Sequence, residues 1–455
     1  MKEYEHIIIG FGKGGKTLAA ALAKKGFQVA LIERSDKMFG GTCPNVACLP
    51  TKFLENRARL SKKYGGDFAE KSARYQDAVI AKRSMTAGLR EGNYKKITSA
   101  GVEVLVGSAS FVDDHRLHVT YADGTSEELW GGQIYINTGA RPFIPSIPGL
   151  KESAFAYTSE TMMEREELPQ RLVIIGGGYI GLEFASYYAN FGSQITIIQD
   201  GKDFIPREDA EIAQVVLESL QSRGVEIIRQ AQVQSVTDGE DTAVVSVKDD
   251  SGVRELTANA ILVATGRRPN LEELHPEHAG IALTERGAIA VDETLRTSVP
   301  HIWAMGDVTG GLQFTYISLD DSRIVKSQLL GDKSRTTKNR GNVPYTVFLD
   351  PPLSRVGMTE QQALDAGHQI LVARLAAGAI PKAKVLEQTT GSLKMIIDKE
   401  TNQILGAHFF CLESHEMINL IKIAMDAGLP YTVLRDAIYN HPTMTEGLND
   451  LLSTI

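Results

Sequence analysis

The chain has 455 residues, of which 43% are hydrophobic and 23% are charged, and its formal net charge is −8. This length exceeds one ordinary core and predicts about three compact units. The negative charge argues against a nucleic-acid surface, and no apolar run approaches the roughly 18 residues of a membrane span. Because the N-terminal residues lack the pattern of a secretory signal, we expect a cytoplasmic protein.

The chain opens with a short apolar strand, a glycine-rich turn and a helix predicted over Lys16–Lys25. In such a unit Gly10 allows the tight turn, Gly12 lets the backbone approach a pyrophosphate, and Gly15 lets the helix pack closely. Glu33 ends the next predicted strand, eighteen residues after Gly15, where a carboxylate can accept hydrogen bonds from ribose hydroxyls. The combination predicts a dinucleotide-binding unit, and a glycine turn without a ligand is the alternative.

The stretch GGTCPNVACLPTK, residues 40–52, holds two of the three cysteines, Cys43 and Cys48. Five positions in a regular helix separate two side chains by about 140°, so at least one cysteine must lie outside regular helix. We interpret the pair as redox-active, because a helix beginning near Leu49 would favour a thiolate. A zinc site would need four ligands, and no second close pair is evident; two inert cysteines are the other alternative. Cys411 stands alone and is predicted to be a buried small hydrophobe.

Residues 53–99 have a helical, charged pattern, and alternating strands follow from Val102. Prolines at 142, 145 and 148 indicate a domain boundary.

The glycine motif then recurs as Gly176, Gly178 and Gly181, and the next strand ends at Gln199, again eighteen residues later. This internal duplication predicts a second dinucleotide.

Gln199 can bind a ribose hydroxyl without repelling a 2′-phosphate, so both NADH and NADPH remain possible. Lys202 and Arg207 are candidate phosphate partners or ordinary surface charges. A later short strand ends at Gly306-Asp307, where the aspartate could bind a ribityl hydroxyl or cap a helix over Leu312–Leu330. Residues from Val343 onward predict a third, α+β domain.

Several motifs occur in a characteristic order: GGTC followed by C-x-PTK, then GGGYIGLE, ATGRRPN, Gly306-Asp307, and HPTMTE at 441–446. Over nearly the whole chain they resemble the class I pyridine nucleotide-disulfide oxidoreductases. The resemblance implies an α/β, glutathione-reductase-like fold with two Rossmann-like three-layer dinucleotide-binding domains and a C-terminal α+β dimerisation domain. It implies an FAD-binding domain over 1–145 and 271–338, an NAD(P)-binding domain over 146–270 and a dimerisation domain over 339–455.

The same resemblance implies the binding and catalytic residues. FAD would contact Gly10, Gly12, Gly15, Glu33, Gly41, Thr42, Lys52, Ala109, Thr138, Gly139, Asp307, Gln313, Phe314 and Thr315. NADH or NADPH would contact Gly176, Gly178, Tyr179, Ile180, Gly181, Glu183, Gln199 and Gly266.

In the family pattern Cys48 exchanges electrons with the flavin and Cys43 faces the acceptor. Lys52 and Glu183 pair beside the flavin. His441, oriented by Glu446, is the acid/base that the second subunit of a homodimer contributes.

The acceptor is a small molecule or a metal ion. A mercuric reductase is disfavoured, because the C-terminal residues contain no vicinal cysteine pair and His441 is retained. The chain looks most like the reactive-chlorine-resistance branch of the family, to which copper(II) reduction is attributed, with Cys43 and Cys48 as transient copper ligands and no structural metal. The alternatives are a dihydrolipoamide dehydrogenase or other disulfide reductase, and a flavin-binding redox sensor. Pro44 and Ala47 depart from the family pattern in the disulfide loop.

Overall fold

The structure is a computed structural model that describes residues 1–455 as two compact units. The first unit comprises Met1–Phe53, Ala78–Phe143 and Gly266–Arg340, and the second comprises Leu54–Asp77, Ile144–Thr265 and Gly341–Ile455. None of its helices combines the length and the apolar character needed to cross a membrane. The α-helices are Lys13–Ala23, Thr42–Val46, Cys48–Tyr64, Phe68–Thr98, Ser159–Met162, Tyr179–Phe191, Ala210–Ser222, Thr315–Leu330, Glu360–Asp365, Pro381–Val385, Ser414–Asp426, Tyr431–Arg435 and Gly447–Leu452.

The first unit is built on a sheet whose central strand, Lys2–Ile9, has parallel neighbours on both sides. Buried Val, Ile and Leu residues dominate these strands, as is typical of a parallel sheet covered on both faces. The alternating pattern after Val102 folds as the predicted antiparallel strands. The parallel layer runs Glu103–Phe111, Val29–Glu33, Lys2–Ile9, Ser126–Ile136 and Ile302–Ala304, and Arg116–Tyr121 joins the first and fourth of these as an antiparallel strand.

The second unit repeats this plan and confirms the duplicated Rossmann-like architecture. Its central strand, Arg171–Ile175, again lies between two parallel neighbours. The parallel sheet runs Glu226–Ile228, Gln194–Ile198, Arg171–Ile175, Ala260–Val263 and Ala156–Thr158, and a separate antiparallel meander consists of Gln232–Asp238, Ala243–Asp249 and Gly252–Ala258. A short antiparallel pair, Ala140–Pro142 with Arg267–Pro269, belongs to the first unit.

The C-terminal residues of the second unit form the predicted α+β fold around an antiparallel sheet. Cys411 is fully buried in its core, which confirms its prediction as a small hydrophobe. Burial also raises the pKa of the Cys411 thiol, so it stays protonated and inert. The sheet runs Tyr345–Val347, Leu353–Gly357, Ile404–Phe410, Ser392–Asp398 and Ile370–Ala376.

One alternative from the sequence is wrong. Asp307 does not cap the helix that follows it, because that helix begins at Thr315 after Phe314 as its N-cap. Asp307 lies instead in a separate 3-10 turn, Gly306–Thr309. The carboxyl group is therefore not used by the helix, and its ligand-binding role remains the prediction.

Candidate active site

The first glycine turn is held together by the side chain of Asn137, which sequence reasoning missed. Asn137 follows the strand Ser126–Ile136, and its Oδ1 accepts the N–H of Gly15 at 2.8 Å. Its Nδ2 donates to the Met305 carbonyl at 2.7 Å and to Ser318 Oγ at 3.2 Å. The side chain is buried, so each bond is made away from water. One amide thus joins the glycine turn to two segments that are distant in sequence.

Two carboxyl groups lie at the predicted dinucleotide positions of the first unit. Glu33 Oε2 accepts the N–H of Phe11 at 2.9 Å, which fixes the carboxylate beside the glycine turn. Burial raises the pKa of Glu33, and its backbone hydrogen bonds oppose the shift. Burial likewise raises the pKa of Asp307, and the charge of Arg267 opposes it. Both groups are therefore partly desolvated and oriented rather than freely hydrated.

The cysteine loop packs directly on the glycine turn. A Cβ on Gly41, whose φ is +81°, would lie 2.6 Å from Gly12 Cα, so only glycine fits this approach. Asn45, which sequence reasoning also missed, donates to the carbonyls of Phe39 and Gly41 at 3.1 and 2.8 Å. The Asn45 bonds therefore fix the shape of the loop, and the close approach of Gly41 to Gly12 sets its position on the turn.

The prediction that at least one cysteine lies outside regular helix is wrong, because both are helical and lie in two different helices separated by a break at Ala47. Cys43 lies in the short helix Thr42–Val46, which ends at Ala47, and Cys48 begins the long helix Cys48–Tyr64. Pro44 sits in the first turn of the short helix, where its missing N–H removes no intrahelical bond. Ala47 supplies the break with φ −144° and ψ −105°.

Cys43 and Cys48 are not joined by a disulfide, and their side chains are hydrogen-bonded to each other. Cys48 Sγ also lies 3.5 Å from the hydroxyl of Thr315, at the start of the helix Thr315–Leu330. The hydrogen bond with Cys48, followed by burial, raises the pKa of the Cys43 thiol well above its ordinary value. A nearby base or positive charge would favour release of a thiolate from this pair.

Lys16 places a positive charge near Cys43 and is a further residue that the sequence did not single out. Its ammonium group donates to the Gly40 carbonyl at 3.4 Å. Burial, helped by the charge of Lys13, lowers the pKa of Lys16 to about 8, and Cys43 opposes the shift. In return Lys16 lowers the pKa of the Cys43 thiol. A lysine directly after the glycine motif was the available signal.

The remaining predicted FAD residues lie in the first unit. Thr138 Oγ1 is buried without a hydrogen-bond partner, which marks a polar atom awaiting one. Gly139 borders open space, Ala109 is buried in its strand, and Lys52 Nζ donates to Thr51 Oγ1 at 3.3 Å. Thr42 begins the cysteine helix, whereas Gln313 and Phe314 precede the helix Thr315–Leu330.

The residues of this unit fit FAD. The helix Lys13–Ala23 begins at Gly12 without a side-chain cap, so its N-terminal dipole can face a pyrophosphate. Glu33 offers acceptors for a ribose, and Asp307 and the unpartnered Thr138 hydroxyl offer polar atoms for the rest of the cofactor. Donors and acceptors of the required kinds are thus present.

The second glycine turn lies in the second unit. A Cβ on Gly176 or Gly181 would come within 2.4 and 2.2 Å of backbone carbonyl oxygens, so both positions require glycine. Gly178, which precedes the helix Tyr179–Phe191, borders open space and has no side-chain cap. This is the geometry of a helix N-terminus that is accessible to a phosphate.

Gln199 follows the strand Gln194–Ile198 and is 8% exposed. Its Nε2 donates to the carbonyls of Gly201 and Asp203 at 3.1 and 2.6 Å. Its Oε1 is buried without a hydrogen-bond partner, and a Cβ on Gly177 would lie 2.3 Å from it. The glutamine therefore presents an acceptor, and no donor, toward the glycine turn.

The other predicted NAD(P) residues divide between the two units. Tyr179 and Ile180 begin the helix after the turn, and the Tyr179 hydroxyl donates to Glu208. Glu183 Oε1, in the same helix, accepts the N–H of Phe348 at 2.8 Å. Gly266 lies in the first unit. Pairing of Glu183 with Lys52 stays a prediction.

His441 and Glu446 form the predicted pair within the second unit. His441 Nδ1 lies 2.7 Å from Glu446 Oε2, and the other carboxylate oxygen accepts the N–H of Thr443 at 3.1 Å. The hydrogen bond from His441 lowers the pKa of Glu446 below its usual range. The His441 side chain is 68% exposed, so its second nitrogen is accessible for proton exchange.

Two family models match the chain. The model described as pyridine nucleotide-disulphide oxidoreductase covers residues 4–322, and the dimerisation domain of the same proteins covers residues 343–452. These matches confirm the resemblance drawn from the motifs.

Individual relatives match over the full length. The chain is 48% identical to the probable pyridine nucleotide-disulfide oxidoreductase RclA of Escherichia coli (strain K12), covering 100% of both chains. A solved Cu(II) complex of the C43S mutant of that HOCl-induced flavoprotein disulfide reductase superposes with a TM-score of 0.95 over 100% of both chains. Mercuric reductase of Staphylococcus aureus is 32% identical, covering 98% of this chain and 81% of the relative. Dihydrolipoyl dehydrogenase of Geobacillus stearothermophilus is 31% identical, covering 98% and 94%.

Proposed function

The chain belongs to the pyridine nucleotide-disulphide oxidoreductases, and we propose that it passes electrons from NAD(P)H through Cys43 and Cys48 to copper(II) in oxidative-stress defence. The observation that carries the proposal is the hydrogen-bonded thiol pair across the Ala47 helix break, beside Thr315. The full-length similarity to a flavoprotein disulfide reductase solved as a Cu(II) complex supports copper as the acceptor.

The electron balance of this reaction is simple. One NAD(P)H provides a hydride, which carries two electrons and, with one proton from solvent, converts the disulfide to the dithiol. FAD when bound would supply the two-electron chemistry that connects the nicotinamide with the cysteines. The dithiol of Cys43 and Cys48 gives one electron to each of two copper(II) ions. It returns to a disulfide, releases two protons and leaves two copper(I) ions. Thiolates suit the soft copper(I) product.

Each cysteine has its own role in the proposal. Cys48 begins a long helix, whose N-terminus stabilises a thiolate, and Thr315 can hydrogen-bond its sulfur. Cys43 is the sulfur that receives the acceptor. Cys43 loses its proton when it binds the acceptor, and the charge of Lys16 favours that loss.

His441 and Glu446 provide the base in this scheme. Glu446 holds Nδ1 of the imidazole, so Nε2 is the atom that exchanges protons. We propose that His441 serves the cysteine pair of the other subunit in a homodimer, consistent with the dimerisation-domain match over 343–452. Dimerisation is then a condition of activity.

A stopped-flow acceptor panel tests the proposal. The FAD-loaded protein is mixed with NADH or NADPH and with copper(II), lipoamide, glutathione disulfide, mercury(II) or oxygen, and copper(I) is trapped by a selective chelator. We expect two copper(I) ions per nucleotide and multiple turnovers. Cys48→Ser should lose at least about a thousandfold in copper reduction, while its flavin still bleaches with nucleotide.

Cys411→Ala is the matched control, because the third cysteine lies in the C-terminal core and should not affect turnover. Full copper reduction by Cys48→Ser would remove the disulfide from the electron path and refute the proposal.

Dihydrolipoamide dehydrogenase activity is the second candidate. It is favoured by the retained His441–Glu446 pair and by the 31% identity to a dihydrolipoyl dehydrogenase. The same panel separates the two, because a dihydrolipoamide dehydrogenase would turn over dihydrolipoamide with NAD⁺ far faster than it reduces copper. That outcome would replace copper with a dithiol substrate.

A further inference from the structure

A cluster of potential metal ligands lies in the first unit, apart from the cysteine pair. His115 and Asp114 belong to the turn between the strands Glu103–Phe111 and Arg116–Tyr121, and His301 directly precedes the strand Ile302–Ala304. Their ligand atoms all lie within 4.8 Å of one another. We propose that Asp114, His115 and His301 bind a divalent transition-metal ion of the copper, nickel or zinc type.

The hydrogen bonds of the two imidazoles leave one ligand nitrogen on each ring. His115 Nδ1 lies 2.8 Å from the Gly131 carbonyl oxygen, and His301 Nε2 lies 2.8 Å from the Asp114 carbonyl oxygen. A carbonyl can only accept, so each of these nitrogens carries the proton of a neutral ring. His115 Nε2 and His301 Nδ1 are then lone-pair donors. Metal-binding histidines characteristically donate their other N–H to a backbone carbonyl in this way.

The rings are also held in place by stacking. The centroids of His115 and His301 are 3.8 Å apart with an interplanar angle of 2°, and Trp130 stacks on His115 at 5.2 Å and 12°. Because an imidazole binds a metal in its own plane, the parallel rings must open when an ion binds. Because Trp130 also stacks on His115, we expect His301 to be the ring that rotates when an ion binds.

Asp114 completes the cluster with an exposed carboxylate. Its neighbour Asp113 is engaged elsewhere, since it accepts the backbone N–H groups of His115 and Arg116 and pairs with the Arg116 guanidinium at 2.6 Å. That pairing, together with Glu128 at 3.6 Å, offsets the nearby positive charge of Arg116. Two imidazoles and one carboxylate match the preferences of copper(II), nickel(II) and zinc(II) better than those of magnesium or calcium.

The site and the predicted flavin-binding residues lie at opposite ends of the strand Ile302–Ala304. His301 stands at the amino end of the strand Ile302–Ala304, whereas Gly306 and Asp307 follow its carboxyl end. Glu33 is the last residue of a strand that runs parallel to it, and Asn137 directly follows another. An ion held by His115 and His301 is therefore separate from the reduction reaction, and it would be bound without being reduced.

Titration of copper(II) into the FAD-loaded Cys43→Ser/Cys48→Ser protein tests this site, because the dithiol can no longer bind or reduce the ion. We expect one copper(II) whose electron paramagnetic resonance spectrum shows coupling to two imidazole nitrogens. His301→Ala and His115→Ala should each weaken binding at least about tenfold, and Asp114→Asn less. In the parent protein, His301→Ala should leave copper reduction unchanged.

His118→Ala is the matched control, since this histidine lies on the adjacent strand Arg116–Tyr121 but outside the cluster. It should retain the ion and its spectrum. Equal affinity and an unchanged spectrum in His301→Ala would overturn the proposal, as would a signal that follows the second surface cluster, His275, Glu277 and His278, in His278→Ala. Flavin absorbance and thermal unfolding verify that each variant is folded.

Discussion

The two glycine turns are nearly superimposable in their backbone bonds. In the first unit the Gly10 N–H donates to the Ile32 carbonyl, near the end of the strand Val29–Glu33, at 2.8 Å. In the second unit the Gly176 N–H donates to the Ile198 carbonyl, at the end of the strand Gln194–Ile198, at 2.9 Å. In both, the residue after the third strand of the repeat, Asn137 or Ala264, donates its N–H to the central strand at 2.7 or 2.8 Å. The duplication that the sequence predicted therefore extends to the backbone hydrogen bonds that hold each glycine turn against its neighbouring strands.

The side chains of Asn137 and Ala264, which occupy equivalent positions, differ, and this difference changes the space beside each glycine turn. Asn137 binds across the first turn and fills the space beside it, so a Cβ on Gly12 would lie 2.5 Å from its Oδ1. Ala264 has no such amide, and a Cβ on Gly178 would meet nothing within 4 Å. A turn fixed by side-chain hydrogen bonds suits a cofactor that stays bound. A turn with free space beside it suits a nucleotide that must enter and leave in each cycle.

Of the substitutions that test this difference between the turns, Asn137→Ala should have the largest effect on FAD binding and stability. It leaves the Gly15 N–H and the Met305 carbonyl buried without these partners, which costs about 2–6 kcal/mol for two such groups. We expect the purified protein to lose most of its FAD, measured as the ratio of flavin to protein absorbance after gel filtration. Ser318→Ala removes two longer bonds, from the Gly14 N–H at 3.1 Å and from Asn137 Nδ2 at 3.2 Å, and should lose less. Full flavin occupancy and unchanged unfolding of Asn137→Ala would break the comparison.

Gly12→Ala and Gly178→Ala form a matched pair, since both glycines have φ values that any residue adopts, −62° and −79°. Gly12→Ala should destabilise the protein by about 1–3 kcal/mol through overpacking. Gly178→Ala should fold and retain FAD but raise the KM for NADH, because the methyl group occupies space left for the nucleotide. Chemical denaturation and steady-state kinetics measure the two effects. Equal loss of stability in both variants would contradict the distinction.

Gln199→Glu should have the smallest effect. Gln199 presents its oxygen toward the second turn while its amide donors are held by the loop. A carboxylate keeps the acceptor for a ribose hydroxyl but repels a 2′-phosphate, so we expect the KM for NADPH to rise about tenfold, about 1.4 kcal/mol, with a smaller change for NADH. The ratio of kcat/KM for the two nucleotides is the readout. Parallel changes for both would show that residue 199 does not face the ribose.

Local spacing was sufficient to predict much of this protein. Both glycine motifs and the acidic or amide residue eighteen positions later depend on contacts within one βαβ unit. The residues that make such contacts are close together in the sequence, so the residue pattern alone is enough to predict them. Family resemblance then supplied roles for residues such as His441, whose bond to Glu446 at 2.7 Å is also local.

Tertiary structure alone decided the contacts that cross the chain. Asn137 and Ser318 meet the first glycine turn from 122 and 304 positions away, and Lys16 reaches the cysteine loop from the helix that follows the turn. His115 and His301 stack although no sequence motif connects them. Their proximity arises because the strands Arg116–Tyr121 and Ile302–Ala304 both pair with Ser126–Ile136, and no spacing rule along the chain encodes which segments will be neighbours in a sheet.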